Sequence, residues 1–208
     1  MFITLEGPDG SGKTSQVTPL SDFLTQQGYS VLITREPGGT AIGDQVRHIL
    51  GDLKNTKMNP RTETLLFLSA RAQLVEQVIK PHLENDYIVL CDRYADSTMA
   101  YQGYGHQNDL NQIKNLINFA TGGLKPELTL LLDLDVGEGL KRKVQGREWN
   151  RLDAYSLDFH QRVRNGYLKL AAAEPERWVK IDAGQPAEVV QDAIQQVVIS
   201  RLNETVHT

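Results

Sequence analysis

The feature that most restricts what this chain can become is Gly7-Pro8-Asp9-Gly10-Ser11-Gly12-Lys13-Thr14. It follows the apolar run Phe2-Ile3-Thr4-Leu5 and precedes a helical pattern. That is the form G-x-x-x-x-G-K-[ST] in the strand–loop–helix setting of a phosphate-binding loop. Glycine supplies positive φ and lets backbone approach a phosphate closely. Successive backbone N–H groups then make a nest for anionic oxygens, and the helix beyond adds its unpaired donors and partial positive charge. In such a loop Lys13 reaches the β- and γ-phosphates and the Thr14 hydroxyl takes a place on Mg²⁺.

The rest of the chain must supply a sheet for that loop. Phe2 to Glu6 reads as the first strand and Lys13 to Gln27 as a helix, with Val17, Leu20 and Leu24 at helical spacing and Gly28 as the stop. Pro19 inside it should cost a hydrogen bond or bend it. Further strands are expected at 29–34, 87–91, 128–132 and 178–181, and helices at 41–50, 61–83, 95–102, 109–120, 137–144, 157–173 and 187–202. Pro81 should bend the long helix or end it early. Arg35 to Thr40, with a proline and two glycines, reads as a loop. Strands alternating with helices predict an α/β three-layer sandwich with a mostly parallel sheet. Ligands of such sheets bind at the carboxyl ends of the strands, where the glycine loop, Arg35, Asp92-Arg93 and Asp133 all fall.

A chain of 208 residues with 40% hydrophobic residues fits one domain, residues 1–208, with a sizeable core. A net charge of −4 points away from nucleic acid and anionic membrane surfaces as partners. Cys91 is the single cysteine, so there is no internal disulfide framework, and its apolar surroundings suggest a buried, inert thiol. His48, His82, His106, His160 and His207 are scattered without metal-ligand spacing. The strand beginning at residue 2 leaves no room for a signal peptide, and no apolar run nears the ~20 residues of a membrane span. A cytoplasmic location is therefore expected.

Asp92 closes an apolar strand, as the Mg²⁺-positioning carboxylate of a phosphate-loop enzyme does. Asp133 is a weaker rival, read mainly as a strand terminator. Arg93 follows Asp92 directly, and its planar fork suits phosphate oxygens. Phe67 and Arg71 are four residues apart, hence on one helix face, where an aromatic ring could stack on a base and an arginine bond its edge. The segment from Lys141 to Arg151, interrupted by Gly146 and Trp149, reads as part of a lid spanning about 141–155 that carries arginines over a transferring phosphoryl group.

Together these residues resemble the thymidylate kinase family of phosphate-loop nucleoside monophosphate kinases. The resemblance is carried by the glycine loop with acidic Asp9, Thr34-Arg35-Glu36-Pro37-Gly38-Gly39-Thr40, and Leu66-Phe67-Leu68-Ser69-Ala70-Arg71. Asp92-Arg93-Tyr94 through Ser97-Thr98 to Ala100-Tyr101-Gln102-Gly103, and Lys125-Pro126-Glu127-Leu128-Thr129, complete it. It implies a five-stranded parallel sheet, a homodimer, and transfer of the ATP γ-phosphoryl group to dTMP with Mg²⁺. Under it Phe67 stacks on thymine and Arg71 bonds its edge, while Ser97, Thr98, Tyr101 and Gln102 complete the nucleoside pocket. Tyr101 crowds the sugar 2′ position. Asp9 holds the 3′-hydroxyl or organises the metal shell, and Arg35 and Arg93 bind the acceptor phosphate. Lys13 and the lid arginines neutralise the moving phosphoryl. The variable loop positions hold no arginine, which resembles the members that supply arginines from the lid. Arg142, Arg147 and Arg151 are the lid arginines, with Arg147 and Arg151 the two candidates for the key contact.

Two other readings stand beside this one. A kinase of another nucleoside monophosphate or of a deoxynucleoside would share most of these features. A GTPase switch would need Asn-Lys-x-Asp, and the nearest match, Asn150-Arg151-Leu152-Asp153, lacks the lysine.

Overall fold

The computed structural model describes residues 1–146 and 149–206. Five parallel strands, β1 (Phe2–Glu6), β2 (Val31–Arg35), β3 (Ile88–Asp92), β4 (Leu128–Asp133) and β5 (Trp178–Asp182), form one sheet in the order β2-β3-β1-β4-β5. In register, Leu5 lies beside Asp92 and Glu6 beside Leu131. The connection from β1 runs toward one edge of the sheet and that from β3 toward the other, so a crevice opens at their carboxyl ends.

Strand alternation sorts the core. Ile3 and Leu5 face α1 (Lys13–Gln26) and α9 (Ala187–Val206), packing with Val17, Leu20, Leu24, Ile194 and Val198. Phe2 and Val89 point the other way, onto Leu74, Val75 and Ile79. Leu131 on that face meets Phe159, Val163 and Tyr167 of α8 (Leu157–Ala173). Helices on both faces of a parallel sheet are the expected three layers.

The helix starts are written in the sequence as caps. Thr40 Oγ1 accepts from Gly43 N at the start of α2 (Ala41–Gly51), Asn59 Oδ1 from Arg61 N before α3 (Pro60–Leu74), and Ser156 Oγ from Phe159 N before α8. Strand and helix bounds differ from the sequence expectation by a residue or two at most ends, the last helix running on to Val206. Two larger differences concern helix type. The expected helix 61–83 is α3, a π-helical turn (Val75–Ile79) and α4 (Lys80–Leu83). Pro81 has no N–H and its ring crowds the carbonyl four residues back, and the wider π turn accommodates this. The expected helix 95–102 is α5 (Ala95–Thr98) continued by a π-helical segment, Met99–Gly105. By contrast α1 runs unbroken through Pro19, which lies on its exposed side. The remaining helices are α6 (Leu110–Thr121) and α7 (Val136–Gln145). Among the described residues, no helix is long and apolar enough to cross a membrane.

Candidate active site

A cleft of about 1000 Å³ opens over the carboxyl ends of β1, β2 and β3. The glycine loop forms one wall. Gly7 has φ 146° and Gly10 φ 76°, values that favour glycine. A Cβ on Gly7 would strike the Leu132 carbonyl oxygen, and one on Gly10 the backbone of Gly139 in α7. The loop is thus pressed against β4 and α7 by close backbone approach. Lys13, 5% exposed, donates from Nζ to the Gly7 and Pro8 carbonyls at 3.0 and 2.8 Å and to Ser11 Oγ at 3.1 Å. Burial, with Arg93 nearby, pushes its ammonium down to about 7. Thr14 Oγ1 donates to Asp92 Oδ2 at 2.5 Å, joining the two residues predicted to hold a metal. Asp133 is engaged elsewhere, accepting from Arg164 Nε at 2.8 Å, which leaves Asp92 as the strand-end carboxylate beside the loop.

Arg93 lies directly against the glycine loop. Its Nη2 donates to Asp9 Oδ1 at 2.6 Å and to Tyr101 OH at 3.2 Å, and Tyr101 OH donates to Asp9 Oδ2 at 2.6 Å. Its Nη1 donates to the Gly7 carbonyl at 3.0 Å, Tyr167 OH at 3.1 Å and Ser97 Oγ at 3.3 Å. Arg93 also has φ 69°, a left-handed backbone that costs a non-glycine residue about 1–3 kcal/mol unless its surroundings hold it. Burial alone would raise the Asp9 carboxyl, but Arg93 and Lys13 outweigh it and hold Asp9 below its ordinary value.

Phe67 from α3 and Thr98, Tyr101 and Gln102 from the α5–π segment line the far end of the cleft, with Ser97 beside them. The π-helical segment carries Tyr101 and Gln102 on its buried side. Arg71 stands one layer deeper, 1% exposed. It donates from Nη2 to Glu36 Oε2 at 2.6 Å and to the Tyr94 carbonyl at 3.0 Å, from Nε to both Glu36 oxygens, and from Nη1 to Thr98 Oγ1 at 2.9 Å. Since Thr98 lines the cleft, Arg71 lies directly behind its inner wall. Arg35 lines the cleft with its side chain half in solvent, 3.4 Å from Asp44.

The expected lid arginines fall in different surroundings. Arg142 of α7 lines the cleft and donates from Nη1 to the Ala183 carbonyl at 3.2 Å. Arg147 lies outside the described residues. Arg151 corrects the expectation of a lid arginine over the phosphoryl group. It is 7% exposed, donating to Glu63 Oε2 at 2.6 Å, the Leu50 carbonyl at 2.9 Å and Tyr155 OH at 2.9 Å. Pulling one member out of such a buried pair costs about 3–5 kcal/mol, so Arg151 anchors the segment after α7 to α2 and α3. Glu63 is the hub of that anchor, also accepting from Gln102 Nε2 and Tyr155 OH and bonded to His106 Nε2. Burial would raise its carboxyl, but the bonds from His106, Gln102 and Arg151 bring it down to about 2.

Several residues were missed from sequence. Arg47 of α2 lines the cleft and donates to the Pro37 carbonyl at 2.9 Å. Its spacing of three from Asp44, which contacts Arg35, is the only sequence signal for it. Glu6 and Tyr167 carry none, and Glu36 is read only as a member of the Thr34–Thr40 stretch with no role of its own, because their roles depend on partners 30 or more residues away.

This geometry agrees with what the chain is similar to. The family model described as thymidylate kinase matches residues 5–194. A thymidylate kinase of Roseiflexus castenholzii is 50% identical, the alignment covering 95% of this chain and 92% of that protein. One from an Exiguobacterium species is 47% identical over 98% of this chain and 96% of the relative. The crystal structure of thymidylate kinase from Ehrlichia chaffeensis superimposes with a TM-score of 0.78 at 34% identity, covering 95% of this chain and 98% of that one.

Proposed function

The chain belongs to the thymidylate kinase family, and from that premise we propose how its cleft serves an ATP-dependent transfer of the γ-phosphoryl group to dTMP. The alternative of a different nucleotide or a deoxynucleoside as acceptor is not favoured by relatives of this kind. The observation that carries the assignment is the juxtaposition, in one cleft, of the glycine loop, the Asp9–Arg93–Tyr101 cluster and Phe67. Donor phosphates lie in the loop from Gly7 to Thr14, with Lys13 at their β- and γ-oxygens and Arg142 on the ATP side. The acceptor lies across from them. Phe67 stacks on thymine and Arg71 bonds its edge from behind Thr98. Ser97 and Gln102 complete the pocket, Tyr101 crowds the 2′ position, and Asp9 holds the 3′-hydroxyl. Arg35 and Arg93 grip the acceptor phosphate, with Arg47 as a third cation on that side.

The acceptor phosphate is the nucleophile and is largely ionised near neutral pH, so no strong general base is required. An acceptor oxygen attacks the γ-phosphorus in line as the bond to ADP breaks, and the protein's share is positioning and charge neutralisation. Thr14 and Asp92 fit Mg²⁺, for they present a hydroxyl and a carboxylate, the hard oxygen donors that ion takes, side by side. When bound, Mg²⁺ supplies charge neutralisation at the β- and γ-phosphates. A homodimer is part of the proposal. Leu65 of α3 and Phe119 of α6, helices that pack on each other, leave apolar side chains 56% and 89% exposed, which a second copy would cover. A cytoplasmic location follows the same reading.

Coupled ADP release with dTMP, dUMP, dCMP and thymidine as acceptors tests the assignment. dTMP should be turned over fastest. Comparable rates with thymidine would move the acceptor class to deoxynucleosides.

A further inference from the structure

Glu6 is the last residue of β1 and the residue before the glycine loop. Alternation along the strand turns Phe2, Thr4 and Glu6 toward the same side of the sheet, where Thr4 Oγ1 meets Thr129 Oγ1 at 3.0 Å and Glu6 meets α5 and α8. The carboxylate is fully buried. Its oxygens accept from Tyr94 N at 2.7 Å, Ser97 Oγ at 2.6 Å and Tyr167 OH at 3.0 Å. A buried carboxyl is expensive, and apolar packing would serve stability at least as well. What distinguishes this one is that every group it binds touches Arg93. Tyr94 is the next residue, and Ser97 Oγ and Tyr167 OH both accept from Arg93 Nη1.

Hydrogen-bond direction gives the arrangement its purpose. Burial and Asp96 push the Glu6 carboxyl up to about 7 while the Ser97 bond and Arg93 pull it back; ionised, it only accepts, so hydroxyls that spend their protons toward Glu6 or each other present lone pairs to the guanidinium. Ser97 Oγ and Tyr167 OH are 2.8 Å apart, which makes one relay of the three groups. The Tyr94 N–H bond holds the chain on the far side of the left-handed Arg93, while Arg93 N donates to the Leu5 carbonyl at 3.0 Å on the near side. Side chain and strained backbone are thus fixed from one buried point.

We propose that Glu6 and Tyr167 are positioning residues that, together with the Ser97 hydroxyl, hold Arg93 in the conformation that receives the acceptor phosphate. The inference rests on the reading of Arg93 given above. Neither residue touches substrate in this arrangement; both act through the arginine.

The test is a double-mutant cycle on the full-length protein, reading kcat, the KM for ATP and the Kd for dTMP. Tyr167→Phe removes one hydroxyl and keeps the ring in the core. It should lower kcat about tenfold and weaken dTMP binding severalfold, with the KM for ATP unchanged. In the Arg93→Ala background the same substitution should change dTMP binding and residual turnover by less than twofold, because the group it acts through is gone. Glu6→Gln places an N–H where the hydroxyls need an acceptor and should reproduce the Tyr167→Phe pattern; if it does not fold, the decision rests on Tyr167→Phe. Equal losses in both backgrounds, or none in either, would overturn the inference. Wild-type turnover in Arg93→Ala would instead overturn the reading of Arg93, so the two failures are distinct.

Discussion

Arg93 Nη2 lies 2.6 Å from Asp9 Oδ1, joining the residue after β3 to the middle of the glycine loop. The two are 84 positions apart in sequence, and β1 and β3 bring them together because Leu5 and Asp92 are register partners. The contact ties the glycine loop to the end of β3 within the cleft, so under the proposed roles a change at Arg93 should be felt as chemistry more than as stability.

Arg93→Ala should therefore reduce kcat by about 10³-fold or more, the scale on which arginines that neutralise a moving phosphoryl group act. The far-ultraviolet circular dichroism spectrum should be that of the parent. An unchanged turnover number would remove Arg93 from the mechanism.

The Thr14–Asp92 contact gives a metal prediction. Asp92→Asn keeps the size of the side chain and weakens a hard anionic ligand. The Mg²⁺ concentration for half-maximal rate should rise at least tenfold, and chelation of divalent cations should abolish turnover of the parent reversibly. An unaltered Mg²⁺ requirement in Asp92→Asn would shift the metal role away from this carboxylate.

What was legible in advance was local. The glycine loop, the strand ending in Asp92-Arg93 and the Phe67–Arg71 helix face each carry their chemistry within about eight residues, and each faces or directly backs the cleft. The misread residues depend on distant partners. Arg151 lies in a basic run that reads as a lid, yet its position is set by Glu63, 88 positions away, and by the Leu50 carbonyl. Nothing near Glu63 in sequence marks it as the acceptor for residues from two distant segments, Gln102 with His106 and Arg151 with Tyr155. The same holds for Glu6, which reads as the polar end of a strand and is a buried hub. Helix type was hidden for a related reason. Pro81 announced a disturbance in its helix, but whether a proline kinks, ends or widens a helix is decided by what packs around it.

Glu63 also makes acid stability predictable. Its carboxyl is lowered from the ordinary 4.5 to about 2, so the unfolded chain takes up its proton first as pH falls. The stabilisation is complete above about pH 4.5 and is lost as pH drops toward 2. Glu63→Gln leaves the Arg151 guanidinium buried without its anion and turns an amide N–H toward donors, which should cost about 3–5 kcal/mol at pH 7. Denaturant titrations between pH 7 and 3 should show that cost, with a shallower fall in stability below pH 5 than in the parent. A parent-like slope would mean Glu63 is not the group being titrated.

Phe67 separates base recognition from core packing. The ring is partly buried, with its neighbours Leu68 and Ala70 taking the core side of α3 and its own face on the cleft. Stacking of an aromatic ring on a base is worth about 1–3 kcal/mol, which corresponds to roughly 5- to 150-fold in affinity. Phe67→Ala should therefore raise the dTMP Kd within that range and leave the ATP Kd within twofold, because the donor loop lies on the opposite wall. A cavity in the core would instead lower thermal stability and weaken both ligands together. Titration calorimetry with each nucleotide, alongside a melting curve, distinguishes these outcomes; equal losses for ATP and dTMP would assign the ring to the core.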